Sequence, residues 1–213
     1  MSRRLPIFAL PGVVLLPETV LPLHIFEPRY RAMVADALEG DRTIGMALMK
    51  PGWELGGADP EVFSVGGAGE IVDSESLEDG RYNILLLGRF RYRILEETGR
   101  EPYRQARVEE IGSLPFESEE AAWQEVARLT GLFERLRSEI ELPPLPGETL
   151  TPERLASEVT LRLRYAPPQL QELLETDSLP ARFRALAERL EEWSERLRLL
   201  APFRPAEIDP RVN

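Results

Sequence analysis

The sequence predicts an α+β protein, with a β-rich N-terminal domain followed by an α-helical bundle. From Leu5 to about Ile111, short apolar runs alternate with proline and glycine turns, a pattern typical of strands. After Pro115, an acidic run is followed by apolar residues at spacings of three and four, which indicates amphipathic helices. We therefore predict a β-rich domain over residues 1–115 and a helical domain over residues 116–213.

The first domain is predicted to hold strands and a single helix. Pro22 favours an edge or bulge position for its strand, because proline cannot donate to a ladder. A helix is predicted over residues 28–39, since proline suits its first turn and Gly40 its end. Asp79 and Gly80 predict a hairpin turn. The predicted strands cover residues 5–10, 13–16, 20–26, 43–49, 62–72, 82–87, 90–95 and 103–111.

The second domain is predicted to be a small bundle of antiparallel helices. Ser118 and Thr151 are each placed to cap the start of a helix. The apolar stripes of the first and last helices are long enough to pack along each other. Pro167 is expected to end the second helix, and a loose tail is expected over residues 202–213. The predicted helices cover residues 118–140, 151–165, 169–175 and 183–200.

Composition disfavours several classes of protein. The 213 residues include no cysteine and one histidine, so neither a disulfide framework nor a transition-metal site is expected. The formal net charge of -11 disfavours nucleic acid as a partner. Prolines at positions 6, 11 and 17 interrupt the N-terminal apolar stretch, and no window is long enough to span a membrane. A cytoplasmic protein without metal or cofactor is therefore expected.

The motifs of common enzymes are absent from the sequence. Lys50 lies between Met49 and Pro51, so no phosphate-binding P-loop is present. The glycine-rich segment 66–69 leads into an apolar run, which favours a bulge or turn in a sheet. His24 has apolar neighbours, which favours a packed, hydrogen-bonded histidine over a catalytic base. We predict no catalytic residues and a protein that is not an enzyme.

The one basic cluster lies in a predicted strand. Arginines alternate with apolar residues there, so strand periodicity places the guanidinium groups together on one face. A solvated outer face of the sheet is the favoured interpretation. RNA binding is the alternative, with Tyr82 or Tyr92 available for base stacking. The arginines are Arg89, Arg91 and Arg93.

Leu21-Pro-Leu-His-Ile-Phe-Glu-Pro-Arg-Tyr30 closely resembles the N-terminal substrate-binding domain of the ATP-dependent protease Lon. The resemblance continues through residues 44–48, 65–72 and 80–94, and through residues 169–175 followed by Arg182. It implies a β-rich subdomain related to the PUA pseudobarrel, then a helical subdomain. It also implies recognition of protein segments rather than their cleavage. Because no ATPase or Ser-Lys peptidase module follows, a standalone version of this domain is expected.

The resemblance implies a module that binds exposed apolar segments, as an adaptor or quality-control factor. Its expected partners are unfolded or apolar polypeptides, together with a protease or chaperone. PUA-related barrels often bind RNA, which keeps the alternative open. Each candidate residue could instead serve the core, or the corner between strand and helix in the case of Arg29. The candidate peptide-binding residues are Phe26, Arg29, Tyr30, Met33, Met46 and Met49.

Overall fold

A computed structural model describes residues 2–55, 60–100, 102–147 and 149–200. The α+β class predicted from sequence is confirmed, since strands fill the first half and helices the second. The strands are β1 Ser2–Leu10, β2 Val20–Ile25, β3 Thr43–Leu48, β4 Val65–Ser76, β5 Tyr82–Gly99 and β6 Gln105–Ile111. The α-helices are α1 Pro28–Glu39, α2 Glu119–Glu139, α3 Pro152–Arg162, α4 Pro167–Glu175 and α5 Leu179–Leu200.

The strands form one sheet that closes on itself. Its order is β2-β5-β4-β3-β1-β6, and β5 also pairs with β6. Closure depends on the second half of β5, which pairs with β4 on one side and β6 on the other, whereas its first half pairs with β2 and β4. Among the six described strands, only β1 and β3 pair in parallel. Strand β2 therefore lies outside the closed ring, attached to β5 along one edge, as Pro22 predicted.

Two strand predictions were wrong. Residues 82–87 and 90–95 form parts of the single strand β5. Residues 13–16 form no strand, because this segment crosses over β4 and β5 instead of pairing with them. A Cβ atom on Gly67 would lie 2.0 Å from the Leu15 carbonyl oxygen, and one on Gly88 would lie 2.1 Å from that of Leu16. The glycines thus make room for the crossing.

The glycine-rich segment is part of β4, with a register shift against β5 between Ala68 and Gly69. The expected place of this segment in a sheet is confirmed, but the extra residue at the register shift is Arg89 of β5. Helix α1 packs its apolar side against the strands, and Tyr30 donates a hydrogen bond to the Ala9 carbonyl at 3.1 Å. Helix α1 and the strand residues that it contacts form one buried cluster, and the barrel residues around Tyr92 and Val108 form a second.

The helical half has its own core, formed by the apolar stripes of α2, α3 and α5. The predicted caps are confirmed: Ser118 accepts from the backbone amide of Ala121, and Thr151 accepts from that of Arg154, each at 3.1 Å. Pro167 begins α4 rather than ending the preceding helix, because proline suits the first helical turn. The predicted tail lies outside the described residues.

Arg91 joins the barrel to the helices. Its side chain is almost completely buried and donates to the carbonyl oxygens of Leu174 at 2.7 Å and Gly112 at 2.6 Å. It also contacts Asp177 at 3.2 Å. A small apolar cluster, in which Leu174 of α4 packs with barrel residues, lies across the same junction. The domain division near residue 115 stays a prediction.

Candidate functional site

The six residues proposed for peptide binding do not form one exposed surface. Tyr30, Met33 and Met46 are buried in the barrel core, where the apolar side of α1 meets β3. The expectation that they are available to a partner is wrong for this conformation. Met49 is half-buried, and Phe26 and Arg29 are exposed. Phe26 is the most exposed of the apolar candidates, at 61%.

Arg29 contacts its own neighbours in sequence. Its guanidinium lies 4.5 Å from the centre of the Tyr30 ring and pairs with the Glu27 carboxylate at 2.9 Å. Burial raises the pKa of Tyr30, whose ring is held between the core and this guanidinium. These contacts favour the role of Arg29 at the corner between β2 and α1.

An exposed surface is formed instead by the outward side chains of β2, β5 and the end of β4. We call it the outer face. Strand pairing arranges its side chains in three rows, each running from β2 across β5 to β4. The β4 residue of every row is a carboxylate. In two of the rows, the residues from β2 and β5 are both apolar. The rows are Val20-Leu87-Glu70, Pro22-Leu85-Asp73 and His24-Asn83-Glu75.

The outer face contains an open groove of about 450 Å³. Val20 is 53% exposed and Leu85 is 37% exposed, although both are large apolar residues. Phe26 extends the apolar surface beyond the last row, and its ring stacks on that of His24 with centroids 6.3 Å apart. The groove is lined by Pro22, Leu23, His24, Asp73, Glu75, Asn83, Ile84 and Leu85.

His24 belongs to a hydrogen-bonded row on this face. Its Nδ1 lies 2.8 Å from the amide oxygen of Asn83 and donates to it, because that oxygen can only accept. Its Nε2 accepts from Arg81 at 3.1 Å, and the Asn83 amide donates to Glu75 at 2.8 Å. The expected hydrogen bonding is present, but the expected packing is not, since His24 is exposed. This network fixes the polar end of the groove.

The carboxylates of the rows differ in their partners. Glu70 pairs with Arg89 at 2.7 Å, whereas Glu75 accepts from a neutral amide. Asp73 accepts from the backbone amide of Ser74 at 2.9 Å. The β4 side of the groove therefore carries negative charge beside the apolar surface. Among the described residues, no group of three or more His, Cys, Asp or Glu side chains is placed to hold a metal ion.

The arginine stripe is not a continuous basic surface, and the expectation that it lies on a solvated face is wrong at its centre. Arg91 is buried under the helical half, and burial together with the charge of Arg182 lowers its pKa. Arg89 is exposed and paired with Glu70, and Arg93 is exposed. Tyr92 is fully buried and donates to the Met46 carbonyl at 2.9 Å, so it cannot stack on a base.

The outer face was missed by sequence reasoning. In the segment from Val20 to Ile25, inward and outward positions are both mainly apolar, so alternation does not separate them. The available signal was Pro22, which marked an edge strand, together with the run of polar residues Asp73-Ser-Glu-Ser76 at the end of β4. Pairing across three strands is needed to bring these residues together.

A closed barrel joined to a helical bundle, with an exposed apolar groove, defines the class of this protein as an α+β domain with an open surface groove. Residues 4–192 match the family described as the ATP-dependent protease La (LON) substrate-binding domain. The chain belongs to this family. Within the part of the chain that the structure describes, no helix combines the length and the apolar character needed to cross a membrane.

The relatives are longer proteins. The chain is 31% identical over 179 residues to the Lon protease of Dictyoglomus thermophilum, a match covering 81% of this chain and 22% of that protein. It is 28% identical over 204 residues to the Lon protease of Anaeromyxobacter dehalogenans, covering 92% and 24%. The chain thus spans about a quarter of the length of the curated relatives it matches.

Solved structures share the fold. The Lon N-terminal domain protein from Xanthomonas campestris has a TM-score of 0.65 at 22% identity, covering 86% of this chain and 96% of that one. The N-terminal domain of the Mycobacterium avium complex Lon protease has a TM-score of 0.65 at 18% identity, covering 89% and 99%.

Proposed function

We propose that this protein binds exposed apolar segments of polypeptides through the outer face. Membership of a substrate-binding domain family supports a substrate-recognition module. The observation that carries the choice of surface is the pair of apolar rows beginning at Val20 and Pro22, which lie open beside the groove. Folded partners hide such side chains in their cores, whereas unfolded chains expose them.

The chemistry of the outer face defines a preferred segment. Apolar burial contributes roughly 25 cal/mol per Å², so a few side chains seated against Leu85 and Phe26 give modest, reversible affinity. Asp73 and Glu75 line one side of the groove and disfavour acidic segments through like-charge repulsion. A segment that combines apolar side chains with neutral or basic neighbours is therefore preferred.

The biological role we propose is that of an adaptor or quality-control factor. It would hold exposed apolar segments without cutting them and present them to a protease or chaperone. The match to the substrate-binding part of Lon proteases supports this role, since recognition and cleavage are separate steps in such a scheme. No cofactor is required for binding of this kind.

Binding to a permanently unfolded model protein tests the proposal. Fluorescence anisotropy should show binding to a reduced, carboxamidomethylated protein, whose blocked cysteines carry no charge, and none to its native form. Affinity should change little with salt, because apolar burial is not screened. The proposal is wrong if the unfolded protein does not bind, whereas RNA binds with an affinity that falls steeply as the salt concentration rises.

The variant Leu85→Ser should weaken this binding by about tenfold or more, because a buried leucine contributes about 1.5–3 kcal/mol. Leu161→Ser is the matched control, since Leu161 is similarly exposed, at 44%, but lies on α3. The control should bind like the unmodified protein. Equal weakening in both variants would show that the outer face is not the binding surface.

A further inference from the structure

We propose that the free edge of β2 binds the polypeptide as an added β-strand, an inference that rests on the function proposed above. The occupant is an extended polypeptide segment. Every second residue of this segment directs its backbone N–H and carbonyl groups toward β2. Its side chains would lie beside the rows of the outer face. Backbone hydrogen bonds would then supply affinity that does not depend on sequence, while the groove selects apolar side chains.

Contacts at the start of β2 define which backbone groups face β5. The Gly88 amide donates to the Thr19 carbonyl at 2.8 Å, and the Glu18 amide donates to the Gly88 carbonyl at 2.8 Å. Glu18 has a φ of 59°, so residues 18 and 19 together oppose one residue of β5, as in a bulge. The register then continues with Val20 opposite Leu87.

In an antiparallel ladder, residues directly opposite each other form two kinds of pair in alternation. One kind exchanges two backbone hydrogen bonds, and in the other kind the N–H and carbonyl groups point outward, away from the partner strand. Continued from Thr19, this alternation directs three residues of β2 toward β5 and three toward the free edge. Those bonded to β5 are Leu21, Leu23 and Ile25, and those directed to the free edge are Val20, Pro22 and His24.

The free edge of β2 presents two N–H groups and three carbonyl groups, since proline has no N–H. Among the described strands, β2 pairs with β5 alone. Val20, Pro22 and His24 are all exposed residues. The groups repeat at every second residue, a spacing of roughly 6.7 Å, which matches the alternate residues of an extended segment.

Pro22 limits the strength of the added strand. It removes the donor at the centre of the edge, which protects the protein against stable pairing of two copies through β2. A polypeptide substrate can still donate to the carbonyl groups of Val20, Pro22 and His24. It can also accept from the N–H groups of Val20 and His24. This arrangement suits a segment that is bound and then released.

Amide hydrogen exchange tests the inference. The probe is a soluble peptide of about ten residues, with apolar residues at alternate positions and lysine at both ends. At saturation, exchange of the Val20 and His24 amides should slow by about tenfold or more. The Leu21 and Leu23 amides already bond to β5 and serve as internal controls that should not change.

Two further measurements separate strand addition from contact by side chains alone. Pro22→Val restores the missing donor and should tighten peptide binding by about two- to tenfold. Two further peptides carry N-methyl groups on the odd-numbered or on the even-numbered residues. The peptide whose methyl groups face β2 should lose binding, and the other should keep it. Circular dichroism should show that the variant keeps its fold.

Peptide binding without slowed exchange at Val20 and His24 would overturn this inference and leave the proposed function standing. Equal binding by the parent peptide and both N-methylated sets would also overturn it. If neither the peptide nor an unfolded protein binds, the proposed function fails, and the inference fails with it.

Discussion

At the scale of single residues, β5 shows what periodicity can and cannot predict. Alternation correctly separates Arg91 from Tyr92, but the local sequence does not show that α4 covers the arginine. Both side chains are buried, one among carbonyl groups and the other in the barrel core. The prediction that the stripe is solvated was therefore wrong at its centre, because Leu174, which covers Arg91, lies 83 residues further along the chain.

Arg91 should be important for stability. Arg91→Ala removes a buried cation and leaves the carbonyl oxygens of Leu174 and Gly112 without their donor. Because each buried carbonyl left without a donor costs about 1–3 kcal/mol, we expect the free energy of unfolding to fall by about 2–4 kcal/mol, measured by urea denaturation. Arg93→Ala is the matched control on the same strand, because Arg93 is exposed and its loss should change stability by about 0.5 kcal/mol or less. Similar losses in both variants would contradict the burial of Arg91.

At the scale of elements, helices were predicted better than strands. The helical stripes follow from spacings within one segment, so their bounds agree with the structure to within a few residues. The segment over residues 13–16 has the composition of a strand, yet it crosses the sheet instead. What decides its conformation is the space above Gly67 and Gly88, which is a property of distant strands.

Gly67 should therefore be intolerant of a side chain. Gly67→Ala places a Cβ against the Leu15 carbonyl, which is backbone and cannot rotate away, so stability should fall by about 2 kcal/mol or more. Gly131→Ala is the control, because an added Cβ in the middle of α2 meets no atom within 4 Å beyond the backbone of its own helix and its chain neighbours. That variant should gain about 0.5–1 kcal/mol from helix propensity. A neutral Gly67→Ala variant would contradict the crossing.

At the scale of the whole molecule, the fold class was predictable and the closed barrel was not. Composition and periodicity divide the chain into a strand half and a helical half. Closure instead depends on β6 pairing with both β1 and β5, and the β1–β6 pairing joins Ser2 to Glu109, far apart in sequence. The outer face depends on the pairing of β2 with β5, which is also long-range, so it could not be predicted either.

Alkaline titration tests the packing of the whole molecule. Burial raises the pKa of Tyr103 and of Tyr165 from 10.0 to about 12. Because the folded state favours the protonated phenols, their stabilisation is complete below about pH 10 and is lost as the pH rises toward 12. The chain has one lysine and no cysteine, so the other side chains that titrate in this range are mainly its three further tyrosines.

The free energy of unfolding should accordingly decrease between about pH 10 and pH 12, measured by urea denaturation at fixed salt. A Tyr103→Phe, Tyr165→Phe double variant should show a shallower decrease. Stability that stays constant over this range would contradict the burial of the phenols. Phenolate absorbance recorded in parallel would show whether the two groups titrate late.

The most direct test of the account is to map the bound polypeptide on the protein by NMR. An unfolded apolar peptide should be titrated into isotopically labelled protein while backbone amide shifts are followed. We predict that the largest changes fall in β2, in the first half of β5 and in the end of β4, over residues 20–26, 82–87 and 70–76. Changes confined to the helical bundle, with the outer face unaffected, would contradict the central claim that this face recognises polypeptides.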